Sequence, residues 1–224
     1  MSRPARALSF DLDGTLYRVR RLSVAWRLRH ERGLLVALMA ARERIRHEPP
    51  LLSEDALFER QLELVRPSFA LSDAEARRRV RALLDAFPDA LTKGHRPRPG
   101  VKSAIQAAVA RGLRVAIVSD YRPATKLAEL GLDDLPWSAL IGCEELGALK
   151  PHPEAFLALA ARLGVEPGDI VHVGDREELD VTGALAAGCR AWLFSAKKAD
   201  KTRAEKVLSA FPLDAFQPLF PPTG

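Results

Sequence analysis

The stretch Ala7-Leu8-Ser9-Phe10-Asp11-Leu12-Asp13-Gly14-Thr15-Leu16 decides the reading of this chain. A short apolar run ends in two carboxylates one residue apart, then Gly and Thr, the pattern of a strand running into a reactive loop. Side chains alternate along an extended segment, so Asp11 and Asp13 both project from the carboxyl end of the strand toward one place. In an open parallel sheet, that end is where ligands bind. Two carboxylates gathered there repel, so one is protonated or a cation sits between them. A solvated turn is the competing reading, since Asp, Gly and Thr are ordinary turn residues. Three later stretches weigh against it.

The 224 residues are enough for one sizeable core, or for one domain carrying a large insertion. A composition 47% hydrophobic and 28% charged is that of an ordinary globular chain and argues against wholesale disorder. Cys143 and Cys189 stand far apart with no Cys/His pattern around them. That speaks against a disulfide framework or a zinc site and predicts a reducing, cytoplasmic compartment. The basic start, with Arg3 and Arg6, is followed by too few apolar residues for a signal peptide. The longest apolar run, Leu34 to Ala41, is far too short to span a bilayer, so no membrane partner is expected.

The net charge of +5 is unevenly placed. Residues 16–95 hold 16 Lys and Arg against 11 Asp and Glu, and within Arg18 to Arg46 nine Arg face only Glu31 and Glu43. Either an anionic partner or a solvated Arg-rich face accounts for this.

From Arg18 to about His47, Leu22, Trp26, Leu28, Leu35, Leu38, Met39 and Ile45 recur at helical spacing. This predicts one long helix, or two broken near Gly33. Ser53 and Ser72 offer caps for helices over Glu54 to Val65 and Asp73 to Phe87, the second closed by Pro88. After the Pro-rich connector at 95–100 the texture changes to strands alternating with helices. Strands are predicted at Leu113–Val118, Ala139–Ile141, Ile170–Val173 and Arg190–Phe194. Helices are predicted at Val101–Arg111, Thr125–Leu130, Pro153–Leu163, Asp180–Ala187 and Ala199–Phe211, with a loose Pro-rich tail. The alternation predicts an α/β fold, a Rossmann-like parallel sheet with helices on both faces. The all-helical segment lies between the first strand and its successor, so it reads as an inserted cap over the carboxyl edge. The expected division is a discontinuous α/β core, 1–15 and 97–224, and a helical cap, 16–96.

Three further polar sites fall at strand ends or just before a helix. Ser119 follows the run Arg114-Val115-Ala116-Ile117-Val118, where its hydroxyl and the following N–H groups can hold an anionic oxygen. Lys150 stands between Leu149 and Pro151, a cation on a backbone stiffened by Pro151 and Pro153. Asp175 and Asp180 follow Ile170-Val171-His172-Val173-Gly174 across a strand-to-helix turn. Each alone reads as a cap, a solvated charge or a turn; their joint order does not.

In these four stretches the chain resembles the haloacid dehalogenase-like hydrolases, in the phosphatase branch whose helical cap follows the first strand. Asp11-Leu12-Asp13-Gly14-Thr15, Ser119, Lys150-Pro151 and Gly174-Asp175 with Asp180 resemble that family's four motifs in order. The resemblance implies Asp11 as nucleophile, Asp13 as acid/base, and Ser119 and Lys150 as phosphate holders. It also implies Mg²⁺ held by Asp11, the Asp13 carbonyl and Asp175, with Asp180 supporting the metal or orienting Lys150. The reaction implied is hydrolysis of a small phosphorylated metabolite through an aspartyl-phosphate. An Asp at position 13 goes with phosphate transfer in that family, whereas its dehalogenating members lack it. A sugar phosphomutase and, further off, a 2-haloacid dehalogenase are the rival enzymes. A protein that binds anions or nucleic acid through the Arg-rich cap is the rival from another class, disfavoured because no aromatic platform or reading helix is evident. Asp120, where relatives often carry Asn, and Arg176, where they often carry a small residue, depart from the pattern. An uncompensated Asp120 repels phosphate unless turned away or neutralised, with Arg122 the expected counter-ion.

Overall fold

The structure, a computed structural model, describes residues 4–196 and 201–220. Six strands form one sheet: β1 (Ala7–Phe10), β2 (Arg114–Ser119), β3 (Trp137–Gly142), β4 (Ile170–Gly174), β5 (Arg190–Phe194) and β6 (Lys206–Leu208). Their order is β3-β2-β1-β4-β5-β6, and every pair is parallel. The chain winds outward from β1 in one direction through β2 and β3, then in the other through β4 to β6. The carboxyl end of β1 therefore sits at the point where the strand order reverses. Phe10 is in register with both Ile117 and Val173, so the loops leaving β1, β2 and β4 emerge side by side.

Period-two alternation explains why the strands read as continuous apolar runs. Leu8, Phe10, Val115, Ile117, Val171 and Val173 pack on one face with α5 (Val101–Ala110). Ala7, Ala116, Val118, Ile170, Ala191 and Leu193 pack on the other with α7 (Glu154–Leu163) and α8 (Thr182–Ala186). Both faces are covered, as a parallel sheet with helical crossovers demands. The remaining crossover helix, α6 (Pro123–Glu129), follows β2.

Between β1 and α5 lie α1 (Arg21–Arg27), α2 (Arg32–Ile45), α3 (Glu54–Val65) and α4 (Asp73–Thr92), with no sheet strand among them. They have their own core, in which Leu34, Leu38, Phe58, Leu62, Val80 and Leu83 are buried. Ser53 and Ser72 cap α3 and α4 as expected, their hydroxyls accepting from Ala56 N at 3.2 Å and Glu75 N at 3.3 Å.

Several expectations are corrected. Of the two alternatives for the first helical stretch, one long helix is ruled out and two broken near Gly33 are found, the break being a 3₁₀ turn at Arg29–Glu31 and Gly33 itself lying inside α2. The seven-residue α1 buries only Val24, so Leu22 and Trp26 are 87% and 66% exposed despite their helical spacing. Pro88 does not end α4. The Thr92 hydroxyl donates to the Pro88 carbonyl at 3.1 Å, and burial of Phe87, Ala90 and Leu91 outweighs the one backbone bond a proline forfeits. The helix expected at Asp180–Ala187 opens with a π-helical turn, Glu177–Val181, before α8. Of the helix expected at Ala199–Phe211, residues 199 and 200 lie outside the described residues. The rest contains β6, which pairs with β5. Nor is the described part of the Pro-rich tail loose, since Phe211, Phe216 and Leu219 are buried against the sheet. No helix among the described residues is long and apolar enough to cross a membrane.

Candidate active site

The six polar residues singled out in the sequence meet at the carboxyl ends of β1, β2 and β4. Asp11 is the first residue after β1; its backbone N–H donates to the Val173 carbonyl at 2.9 Å, which ties the turn to β4. One carboxylate oxygen accepts from the Thr15 hydroxyl at 3.1 Å and the other from Lys150 Nζ at 2.7 Å. Lys150, also buried, donates to Asp180 Oδ1 at 2.6 Å and to the Val118 carbonyl at 3.3 Å. Asp180 Oδ2 accepts from the Arg176 N–H at 3.0 Å. Ser119, the last residue of β2, is fully buried.

Carboxylate oxygens of Asp11, Asp175 and Asp180 lie within 4.8 Å of one another, with one ammonium, Lys150, among them. The charge deficit shows in their titration. Burial, only partly offset by Lys150, pushes Asp11 well above the ordinary carboxylate value, with Asp180, Asp175 and Asp13 adding to the rise. Asp175 is pushed up to about 6, by burial and then by Asp180. Lys150 goes the other way from a buried amine: burial would lower it, but Asp11 and Asp180 outweigh that and hold it well above its usual value. Burial would also raise Asp180, yet Lys150 holds it below the usual range.

The donor set fits a hard cation. Asp175 Oδ1 is buried without a hydrogen-bond partner, and oxygen-only ligation is what Mg²⁺ takes. Gly14, at φ +99°, leaves room for that carboxylate; a Cβ there would overlap it. Asp180 spends both oxygens on Lys150 and the Arg176 N–H, and Asp11 both on Lys150 and the Thr15 hydroxyl, so Asp175, with Oδ1 unpartnered, is the carboxylate of the three with an oxygen free to ligate. The Asp13 side chain is not part of this cluster.

Four residues the sequence reading passed over complete the site. Lys126, on α6, is fully buried; its ammonium pairs with Asp13 Oδ2 and donates to Ser119 Oγ at 3.4 Å. The Tyr17 hydroxyl donates to the other Asp13 oxygen. A lysine seven residues beyond Ser119, in the helix that follows β2, was the available signal. Arg98 donates to the Gly14 carbonyl at 2.6 Å and the Thr15 carbonyl at 2.9 Å, fixing the loop after Asp13. Arg46, at the end of α2, reaches Asp120 Oδ2 at 2.5 Å and also donates to the Lys150 carbonyl. It, and not Arg122, neutralises Asp120; Arg122 pairs with Glu54 at 2.7 Å. Against the upward push of burial, Arg46 and Lys150 lower Asp120 to about 2. Arg176 is exposed and contributes its backbone N–H to Asp180.

A cavity of about 550 Å³ opens above these groups. Asp11, Asp13, Lys150 and Asp175 form its floor, and Val24, Leu35, Met39, Phe87 and Leu91 of the inserted helices its apolar wall. A family model for haloacid dehalogenase-like hydrolases matches residues 5–188, which includes every group described here. The chain belongs to this family. The glyceraldehyde 3-phosphate phosphatase of Methanopyrus kandleri is 29% identical over 199 residues, spanning 82% of this chain and 81% of its own. The phosphoglycolate phosphatase of Shigella dysenteriae is 30% identical over 207 residues, spanning 82% and 79%. A 2-haloacid dehalogenase structure from Pseudomonas syringae superposes with a TM-score of 0.66 over 96% of this chain and 97% of its own. At 21% identity it speaks for the fold alone.

Proposed function

We propose that this hydrolase is a Mg²⁺-dependent phosphomonoesterase that acts on a small phosphorylated substrate through an aspartyl-phosphate on Asp11. In this reading residues 16–96 form a cap over a catalytic core made of 1–15 and 97–224. The observation that carries it is the Asp11, Asp175 and Asp180 cluster around Lys150, with Asp13 held apart from it by Tyr17 and Lys126. Support also comes from two relatives, named as phosphatases, at about the same identity over four-fifths of the chain.

Asp11 attacks phosphorus with a carboxylate oxygen, and the bond between phosphorus and the ester oxygen breaks. Once Tyr17 or Lys126 releases one of its oxygens and that oxygen is protonated, Asp13 gives the proton to the departing alkoxide, then takes one from the water that hydrolyses the aspartyl-phosphate. Lys150 and Ser119 hold the phosphoryl oxygens, and Asp180 orients Lys150. Mg²⁺ held by Asp11, Asp175 and the Asp13 carbonyl would mask the charges of nucleophile and phosphate.

The test is hydrolysis of p-nitrophenyl phosphate by purified protein. Turnover should require Mg²⁺, stop with EDTA and vanish in Asp11→Asn. Robust turnover without a divalent ion would overturn the metal assignment. Release of an isomer rather than free phosphate from a sugar phosphate would make the chain a mutase. Halide released from a 2-haloacid would make it a dehalogenase.

A further inference from the structure

The arginines of the inserted segment fall into two groups. Most of those on α2 to α4 are paired, Arg42 with Glu144, Arg46 with Asp120, Arg60 with Glu48 and Arg79 with Glu31, while Arg81 lies over the Phe58 ring and Arg32 forms no ion pair among the described residues. Arg18, Arg20, Arg21 and Arg96 are different. All four are exposed, and none of their guanidinium groups meets a carboxylate among the described residues. With Val19 and His95 they line an open cleft of about 740 Å³.

This cleft shares Val19 and Arg21 with the cavity above Asp11, so the two adjoin along these residues. The arm that carries the arginines is anchored to the floor of the site. His95 Nε2 accepts from the Arg20 N–H at 3.2 Å, and the His95 ring meets the edge of Tyr17, whose hydroxyl holds Asp13, at 5.6 Å between centroids. Within the cavity itself, Arg42 and Arg46 are already committed to carboxylates, which leaves Arg21, shared with the cleft, and Arg176 as the arginines on its lining with no ion pair among the described residues. Unpaired like charges crowded in a concavity repel one another and focus a field that favours an anion.

We infer that the alcohol part of the substrate is extended, with an apolar body against the wall formed by Val24, Leu35, Met39 and Leu91 and a second anionic group, a phosphate or a carboxylate, in the arginine cleft. This rests on the phosphatase reading and adds where the far end of the substrate lies. A compact dianion confined to the floor would leave both the wall and the cleft unused.

The experiment compares n-alkyl phosphates with ω-phospho- and ω-carboxyalkyl phosphates of two to eight carbons. Their kcat/KM is measured on wild type and on the triple variant Arg18→Gln, Arg20→Gln, Arg96→Gln. At one chain length the ω-anionic ester should exceed its alkyl counterpart by about tenfold to hundredfold, the worth of charge-assisted hydrogen bonds. That advantage should shrink with added salt and disappear in the triple variant, while turnover of the alkyl ester stays unchanged. Whether the phosphate or the carboxylate series shows the larger gain identifies the anion. Equal kcat/KM for anionic and alkyl esters at every length, or an advantage that survives the triple variant, would overturn the inference. If no ester is hydrolysed, the phosphatase reading fails; calorimetric binding of the same compounds to both proteins then decides the cleft by itself, with equal affinities ruling it out.

Discussion

Asp13 shows how one carboxylate is prepared for its task by residues far from it in sequence. Tyr17 takes one of its oxygens and Lys126 the other, so its direction is set before any ligand arrives. Asp13→Asn should lower turnover by about two to four orders of magnitude, the usual share of general acid–base catalysis. In single-turnover phospho-enzyme formation the loss should be larger for an alkyl than for an aryl phosphate, because a phenolate leaves with less need of a proton. Equal losses would move the acid role to a group on the cap. Lys126→Met keeps the buried stem and removes the ammonium, leaving Asp13 with Tyr17 alone. It should cost about 10–100-fold in kcat, typical for a group that orients a catalytic residue, with KM and inhibition by inorganic phosphate nearly unchanged. A rise in KM and weaker phosphate inhibition, with kcat retained, would place Lys126 on the phosphate instead.

At the scale of elements, the carboxyl end of α2 is fastened to the core by Arg42 and Arg46. Arg46 spans Asp120 after β2 and the Lys150 carbonyl, while Asp120 Oδ1 accepts from the Lys150 N–H at 3.1 Å. The end of α2, the end of β2 and the lysine loop are thus one bonded unit. Asp120 titrates near 2 in the fold, below its unfolded value of about 3.9. A depressed carboxylate stabilises the fold above its unfolded pKa and loses that contribution as pH falls through the folded one. The contribution is about 2.5 kcal/mol at neutral pH, with about half gone by pH 3. Urea unfolding should therefore show Asp120→Asn less stable than wild type by about this amount at pH 7, with the gap narrowing steeply toward pH 2. A gap independent of pH would mean the ion pair is not what joins α2 to the core.

At the scale of the molecule, the last described residues complete the core rather than trail from it. Phe211 stacks on Phe194 at 4.9 Å, and Phe216 meets Phe10 edge-on at 5.6 Å, directly behind the strand that carries Asp11. Gly100, at φ +82°, starts α5 with its Cα against the Phe211 carbonyl, where any Cβ would collide. Phe216→Ala should cost about 3–5 kcal/mol in urea unfolding, as for other buried aromatics. Unchanged stability would show that the segment does not belong to the folding unit.

Much of this could be read in the sequence because it depends on local rules. Apolar runs that stop at Asp11, Ser119 and Gly174 mark strands buried on both faces, and their alternation with helices implies a parallel sheet with the reactive residues at one edge. Ser53 and Ser72 announced their helices because a cap acts within three residues. What failed locally was decided by packing. Leu22 and Trp26 have helical spacing but pack into no apolar core among the described residues, Pro88 is carried through by its buried neighbours, and the stretch before Phe211 became a strand because β5 offered it an edge. The same holds for the site. Asp11, Asp13, Ser119, Lys150, Asp175 and Asp180 stand out because a strand end followed by a polar residue is visible in one dimension. Lys126 on Asp13, Arg46 on Asp120 and the unpaired arginines beside the cavity depend on partners 74 to 113 residues away or on having none. Only the three-dimensional fold decides which charges are neutralised and which are left for a ligand.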